Sequence, residues 1–410
     1  MNDSLPRQDV TCRTGINEES RVRIGNYISV VAGELGFEQN VSGHIQVPLE
    51  GMRRLKEAGH EVHLVTNEFG RDRSLPACLD QTIPVHLVSD SRNRGGILTR
   101  ASDQGRGIKL PALRRQVRQL KRLCIEQQFD LLHLHGYNRT AHLGGGLRLM
   151  GLSCPVVCTV FAGVFPERCS LLTRRLWKRV DALVTATRFV QEAYEVEGLH
   201  VKQVRHGLIR DLRSEFKGER SSSRRRVLFW RDPSIENGAD LALGAYSELA
   251  PRYPGFDFDF AIRPYWDPIP GIDELAAEHE NVHVYRFPYS DGVTLPELVM
   301  NSLCVLQPMR RLTINPQLVI AESLAAGVAT IASDLDSTRE LVQEGVTGHL
   351  VPVGNAAALT EALDALLADP GAAEAMGRAA SEDMAARWNW DHYINDVMTI
   401  YNTVVSGSAA

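Results

Sequence analysis

The chain has no run of about 18 consecutive apolar residues, the length a membrane-spanning helix requires, so no span is expected. Cysteine is sparse: there are seven among 410 residues, an odd number with no CxxC pair. That excludes the dense disulfide framework of a small secreted domain and makes a soluble protein of the reducing cytosol the expectation. HExxH is absent as well, and no spacing of His, Cys, Asp or Glu offers a metal site, so neither a catalytic metal nor a resident cofactor is expected. An excess of positive charge is also missing. The formal net charge of -5 leaves no global field to hold nucleic acid or an anionic membrane, and either partner would need a local patch. Met1 to Ser20 is polar, lacks an apolar core of signal-peptide length, and reads as a flexible lead-in.

What is present is size and alternation. With 44% hydrophobic residues, 410 positions exceed the roughly 250–300 that one core usually supports, so two domains are expected. From Val22 onward short apolar runs alternate with amphipathic ones, the pattern of βα units stacked on a parallel sheet. Strands are expected over 22–31, 61–66, 131–135, 156–159, 182–186 and 201–205, with a helix over 47–58. The run from Phe216 to Arg226 is small, charged and without apolar period, as in an exposed connection. A second series of strands then follows over 227–229, 256–262, 303–306, 329–333 and 349–351. The expected division is therefore a first domain over 21–210, a linker over 211–226, a second domain over 227–388, and a helix with tail over 389–410 that could dock on either domain. Ligands of parallel sheets bind beyond the carboxyl ends of the strands, which places the site in the cleft between the two domains.

The most specific pattern runs from Pro316 through Glu322 to Ser333, followed by Glu340-Leu-Val, Gly345 and Thr347-Gly-His-Leu-Val351. It resembles the donor-site signature of retaining GT-B glycosyltransferases of family 4. Weaker echoes are Ala58-Gly-His-Glu-Val62, Phe129-Asp-Leu-Leu-His-Leu-His135, Arg205-His-Gly-Leu208, and Trp230-Arg231 ahead of Gly238-Ala-Asp240. The resemblance spans about residues 22 to 402. It implies an α/β fold of two Rossmann-like domains facing each other across a cleft, the first binding an acceptor and the second a nucleotide sugar carrying UDP, GDP or another nucleotide.

The chemistry of such a site can be stated independently. A departing nucleoside diphosphate develops negative charge that, without a metal, must meet cations and helix N-termini. A carboxylate can fix the ribose by accepting both hydroxyl protons. By the resemblance, Arg231 binds the diphosphate and Glu322 the ribose. The family's accompanying lysine is replaced by Asn237, its first glutamate, eight positions before the second, by Ile314, and its histidine beside the reacting carbon by Phe161. Arg310 and Arg311 could supply the lost cation, since guanidinium groups bind phosphate bidentately; a solvated loop pair is the alternative. Asn315, Gln317 and Leu318, at the start of the helix bearing Glu322, could meet the donor sugar, although Asn315 could equally be the N-cap.

In the first half, the loop from Gly36 to Gly43 could bring backbone amides to an anion, with Gly43 the candidate contact. His135 ends a strand beside Gly136 and is the candidate base or acceptor-orienting residue, while His133 on the same face reads as core. Basic residues crowd 92–122, with Arg114, Arg115, Arg118, Lys121 and Arg122 outward from the apolar stripe Leu113, Val117, Leu120 and Cys124. Either they hold an anionic or membrane-bound acceptor, leaving the protein peripheral to a membrane, or they form a solvated face. The function expected is sugar transfer from a nucleotide donor with retention and without a metal. The alternative is a silent protein of the same fold that binds an acceptor or stabilises an active enzyme.

Overall fold

The computed structural model describes residues 21–29, 31, 43–67, 78–88, 110–161, 171–219, 225–262, 269–287, 293–312 and 314–408. The lead-in to Ser20, the loop from Gly36 to Ser42 and the basic residues before Leu110 lie outside these.

The first half runs β1 (Arg23–Ile28), α1 (Gly43–Glu57), β2 (Glu61–Asn67), β3 (Val85–Val88), α2 (Leu110–Glu126), β4 (Leu131–Gly136), α3 (Asn138–Leu149), β5 (Val156–Val160), α4 (Leu171–Trp177), β6 (Ala182–Thr185), α5 (Arg188–Glu195) and β7 (Val201–Gln203). Its strands form one parallel sheet in the order β3-β2-β1-β4-β5-β6-β7. The second half runs α6 (Leu212–Glu215), β8 (Arg226–Trp230), α7 (Ala239–Leu249), β9 (Asp257–Ile262), α8 (Ile272–Glu278), β10 (Val282–Arg286), α9 (Leu295–Met300), β11 (Ser302–Gln307), α10 (Leu318–Ala325), β12 (Ala329–Ser333), α11 (Thr338–Leu341), β13 (Gly348–Val351), α12 (Ala356–Ala368), α13 (Pro370–Arg387) and α14 (Trp390–Ser408). Its sheet is also parallel, in the order β10-β9-β8-β11-β12-β13.

The central strands are buried along nearly their whole length because helices cover both faces, which is why they read as continuous apolar runs rather than as alternation. The edge strands β3 and β10 escape that pattern: Val85-His-Leu-Val and Val282-His-Val-Tyr-Arg mix polar with apolar residues and are only partly buried. Each sheet reverses its order beside its first strand, between β1 and β4 and between β8 and β11. These switch points open the crevices in which doubly wound sheets hold ligands.

Two features differ from the sequence expectation. The stretch expected as linker over 211–226 is not all connection. Asp211 caps α6 by accepting from the amides of Arg213 and Ser214, and Leu212 is buried with Leu228, Trp230 and Val305 in the second domain's core, with Phe216 packed alongside. Two apolar residues one turn apart, Leu212 and Phe216, anchor this segment despite its polar composition. The terminal helix, whose docking the sequence left open, returns to the first domain. Trp390, Tyr393, Val397, Ile400 and Tyr401 of α14 are buried with Ile24, Ile28, Leu131 and Val157. Their spacing of three, four, three and one presents a single helical stripe to the sheet.

Candidate functional site

The two switch points meet through the first turns of α1 and α10. Gly43 opens α1, and a Cβ at that position would collide with the side chain of Leu318, the first residue of α10. A side chain at position 43 would require the Leu318 side chain to move aside. Glu322 lies four residues beyond Leu318, hence on the same face of α10, and is buried. Gln317 is the N-cap residue of α10, but its side chain donates back to the carbonyl of Ile314 at 2.9 Å instead of capping the helix.

Asn315 is neither the cap nor exposed to a ligand. Its backbone amide donates to the carbonyl of Phe161 at the end of β5, 2.9 Å away across the two domains. Its side-chain oxygen accepts from the hydroxyl of Ser337 at 2.5 Å, and the residue is 2% exposed. Phe161 belongs to the first domain's core, and Ile314 and Leu318 pack against that same cluster. The positions of Phe161 and Ile314, where the resemblance implies a histidine and a glutamate, are therefore an apolar seam between the domains.

On the second domain's side, Arg231 follows β8, and its Nε donates to Oδ1 of Asn237 at 2.7 Å. Asn237 in turn donates to the carbonyl of Asp232 and to Oγ of Ser234. Asn237, the candidate donor contact, here bonds to its own loop and to Arg231. Arg310, the candidate replacement cation, is paired within its own domain. Its guanidinium grips the carboxylate of Asp240 with hydrogen bonds of 2.6 and 2.7 Å and donates to the carbonyl of Ile235. It staples the segment after β11 to the first turn of α7, where Gly238, at a positive φ, leaves room for the carbonyl of Pro308. Arg311, its neighbour, is exposed.

His135 also departs from expectation. It is 4% exposed, its ring lies 3.9 Å from that of His133, and its Nε2 is 3.0 Å from Oδ1 of Asn26. Burial without a counter-charge pushes its pKa down to about 3, so near neutrality the ring is uncharged and a weak base. His133 is core, as expected, but its partners were not foreseeable: Nδ1 lies 2.6 Å from the hydroxyl of Tyr401 on α14, and Nε2 lies 2.7 Å from Oγ1 of Thr159. Among the described residues, no group of three or more His, Cys, Asp or Glu side chains could hold a metal ion, and no helix is long and apolar enough to cross a membrane.

Sequence reasoning missed Glu340. Its carboxylate reaches the other domain and accepts from the first two amides of α5, those of Arg188 at 2.9 Å and Phe189 at 2.7 Å. The only signal was its place in the Glu340-Leu-Val motif, and nothing local in that motif announces a contact about 150 positions away.

Comparison with known proteins matches residues 47–205 to the family described as Glycosyltransferase Family 4 and residues 271–383 to Glycosyl transferases group 1. A phosphatidyl-myo-inositol mannosyltransferase of Mycobacterium leprae is 38% identical over 92 residues, 22% of this chain and only 24% of that protein's length. The protein of the same name from Mycolicibacterium smegmatis is 26% identical over 376 residues, covering 85% of this chain and 87% of that one. Among solved structures, Anabaena Alr3699/HepE in complex with UDP superposes with a TM-score of 0.68 at 15% identity, covering 93% of this chain and 100% of that one, a likeness of fold.

Proposed function

The chain belongs to the family 4 glycosyltransferases of GT-B fold, and from that premise we propose that it moves a sugar from a nucleoside diphosphate donor to an acceptor, with retention and without a metal. The observation that carries this is the meeting of the α1 and α10 N-termini at Gly43 and Leu318, with Glu322 one turn further along the same face. Two helix starts aimed at one place offer unpaired amides and two positive dipole ends to a leaving diphosphate, with Arg231 held in line by Asn237. Glu322 then accepts from the ribose hydroxyls. In this reading the departing phosphate itself takes the acceptor's proton, so His135 need not act as a base. The UDP of the Anabaena neighbour and the mannosyl transfer in the relatives' name support a nucleotide hexose. The exposed Arg114, Arg115, Arg118 and Arg122 of α2 support an anionic acceptor presented at a membrane surface.

The test is a thermal-shift screen against UDP-, GDP-, ADP- and dTDP-sugars followed by donor turnover with the best binder. Stabilisation by one nucleotide class together with turnover supports the proposal, and no stabilisation by any of them defeats it. A second reading rests on the seam of Phe161, Ile314 and Leu318, which puts apolar side chains where the family's polar residues would meet the sugar. In that reading the protein binds nucleotide but transfers nothing, acting as a partner of an active enzyme. Binding without hydrolysis or transfer would select it.

A further inference from the structure

We propose that Glu340 is a positioning residue that, with Ser337 and Asn315, latches the second domain onto the first at two points and thereby fixes the approach of α10 to α1. The first point is the start of α5. The first amides of a helix have no partner within it; here Thr187 accepts from Val190 while Glu340, from the other domain, accepts from Arg188 and Phe189. A carboxylate is the group best matched to that positive helix end. Glu340 is itself held in place, because its backbone carbonyl accepts from Nη1 of Arg387 at 2.7 Å and Arg387 is braced by Asp383.

The second point is the end of β5, where the amide of Asn315 donates to Phe161. Ser337 joins the two. It is the N-cap position of α11, the four-residue helix that carries Glu340, and its hydroxyl is bonded to Asn315. Ser337 and Asn315 are 0% and 2% exposed, so the link between them is buried, whereas the Glu340 end of the path is partly open to solvent. Asn315 stands two residues before the N-cap of α10, so the path ends at the helix that bears Glu322. Glu340 is tied to Ser337 through its own amide, which donates to the Ser337 carbonyl at 2.9 Å, and hydrogen bonds in series reinforce one another, so loss at one end is expected to loosen the other. The consequence for the cleft rests on the donor reading above. The latch itself does not, and it is tested with no nucleotide present, so either can fail alone.

Amide hydrogen exchange of the full chain, read at single residues, makes the test. In Glu340→Gln the charge-assisted bonds to α5 are weakened, and the amides of Arg188, Phe189 and Asn315 are all expected to exchange roughly 10- to 100-fold faster. Glu340→Asp, which keeps the charge, should recover part of the protection at all three. Faster exchange at Arg188 and Phe189 with Asn315 unchanged would reduce Glu340 to a local helix cap and overturn the proposal, as would no change at any of them. Should Glu340→Gln not fold, Ser337→Ala leaves the carboxylate in place and must still speed exchange at Arg188 and Phe189; unchanged rates there would equally overturn it.

Discussion

Arg310 and Asp240 oppose each other through two parallel hydrogen bonds, with about a third of each side chain reaching solvent. Exposure on that scale screens the pair, so its worth is about 1 kcal/mol rather than that of a buried ion pair. Arg310→Ala and Asp240→Ala should each lower unfolding stability by about that amount, and the double variant should cost no more than either alone. Nucleotide affinity should be unchanged in all three. A selective loss of diphosphate binding in Arg310→Ala would mean that the guanidinium leaves Asp240 to serve the donor. The sequence did single out a basic pair after β11. It could not tell that Arg310 is held by Asp240, because that partner sits 70 positions away in another βα unit.

At the scale of elements, the crossing segment and the terminal helix act as a clasp. His206 lies against Trp388 and Trp390, the indole of Trp390 donates to the carbonyl of Leu208 at 2.8 Å, and a Cβ on Gly207 would run into the Trp390 ring. Gly207→Ala should therefore overpack the clasp and cost about 1–3 kcal/mol, measurable by urea unfolding. Further along, Tyr401→Phe removes the hydroxyl paired with His133 and should cost about 0.5–1.5 kcal/mol without altering the fold. If Gly207→Ala were neutral, the clasp would be looser than these contacts require. The apolar stripe of α14 was legible in the sequence. Its destination was not, because the partners that hold it, among them Gly207, His133 and the core residues Ile24 and Leu131, lie far away in sequence.

For the whole molecule, the buried histidines set the acid limit. Burial holds His135 down to about 3 and His142 and His206 to about 4, and pushes His133 well down. Unfolded histidines take up protons near pH 6.5. Between about pH 6.5 and 4 unfolding therefore binds protons at these four residues, and stability falls as pH drops; above pH 7 they contribute nothing. Asp259, raised to about 7 by burial despite Arg226, and Asp336, raised by burial, act in the opposite sense over the same window. His60 and His86, also lowered by burial, act with the other four; six groups outweigh two, so the melting temperature should decline from pH 7 to pH 5, and a flat or rising profile would contradict the assignment of these rings as neutral.

Much of the architecture was readable from alternation alone: the central strands were placed to within a few residues. The candidate site was less so. Arg231 and Glu322 are candidates by resemblance and Gly43 by its loop, but the bonding of Asn237, the burial of His135 and the reach of Glu340 are properties of contacts the sequence does not display.

Whether α10 presents Glu322 to a nucleotide in the cleft is read by calorimetry. The full chain and Glu322→Gln are titrated with whichever nucleoside diphosphate stabilises the wild type, and the melting temperature of each free protein is recorded. Binding should be saturable and should weaken roughly 10- to 100-fold in Glu322→Gln at an unchanged melting temperature. Unchanged affinity with a lowered melting temperature would make Glu322 a structural carboxylate and contradict the claim.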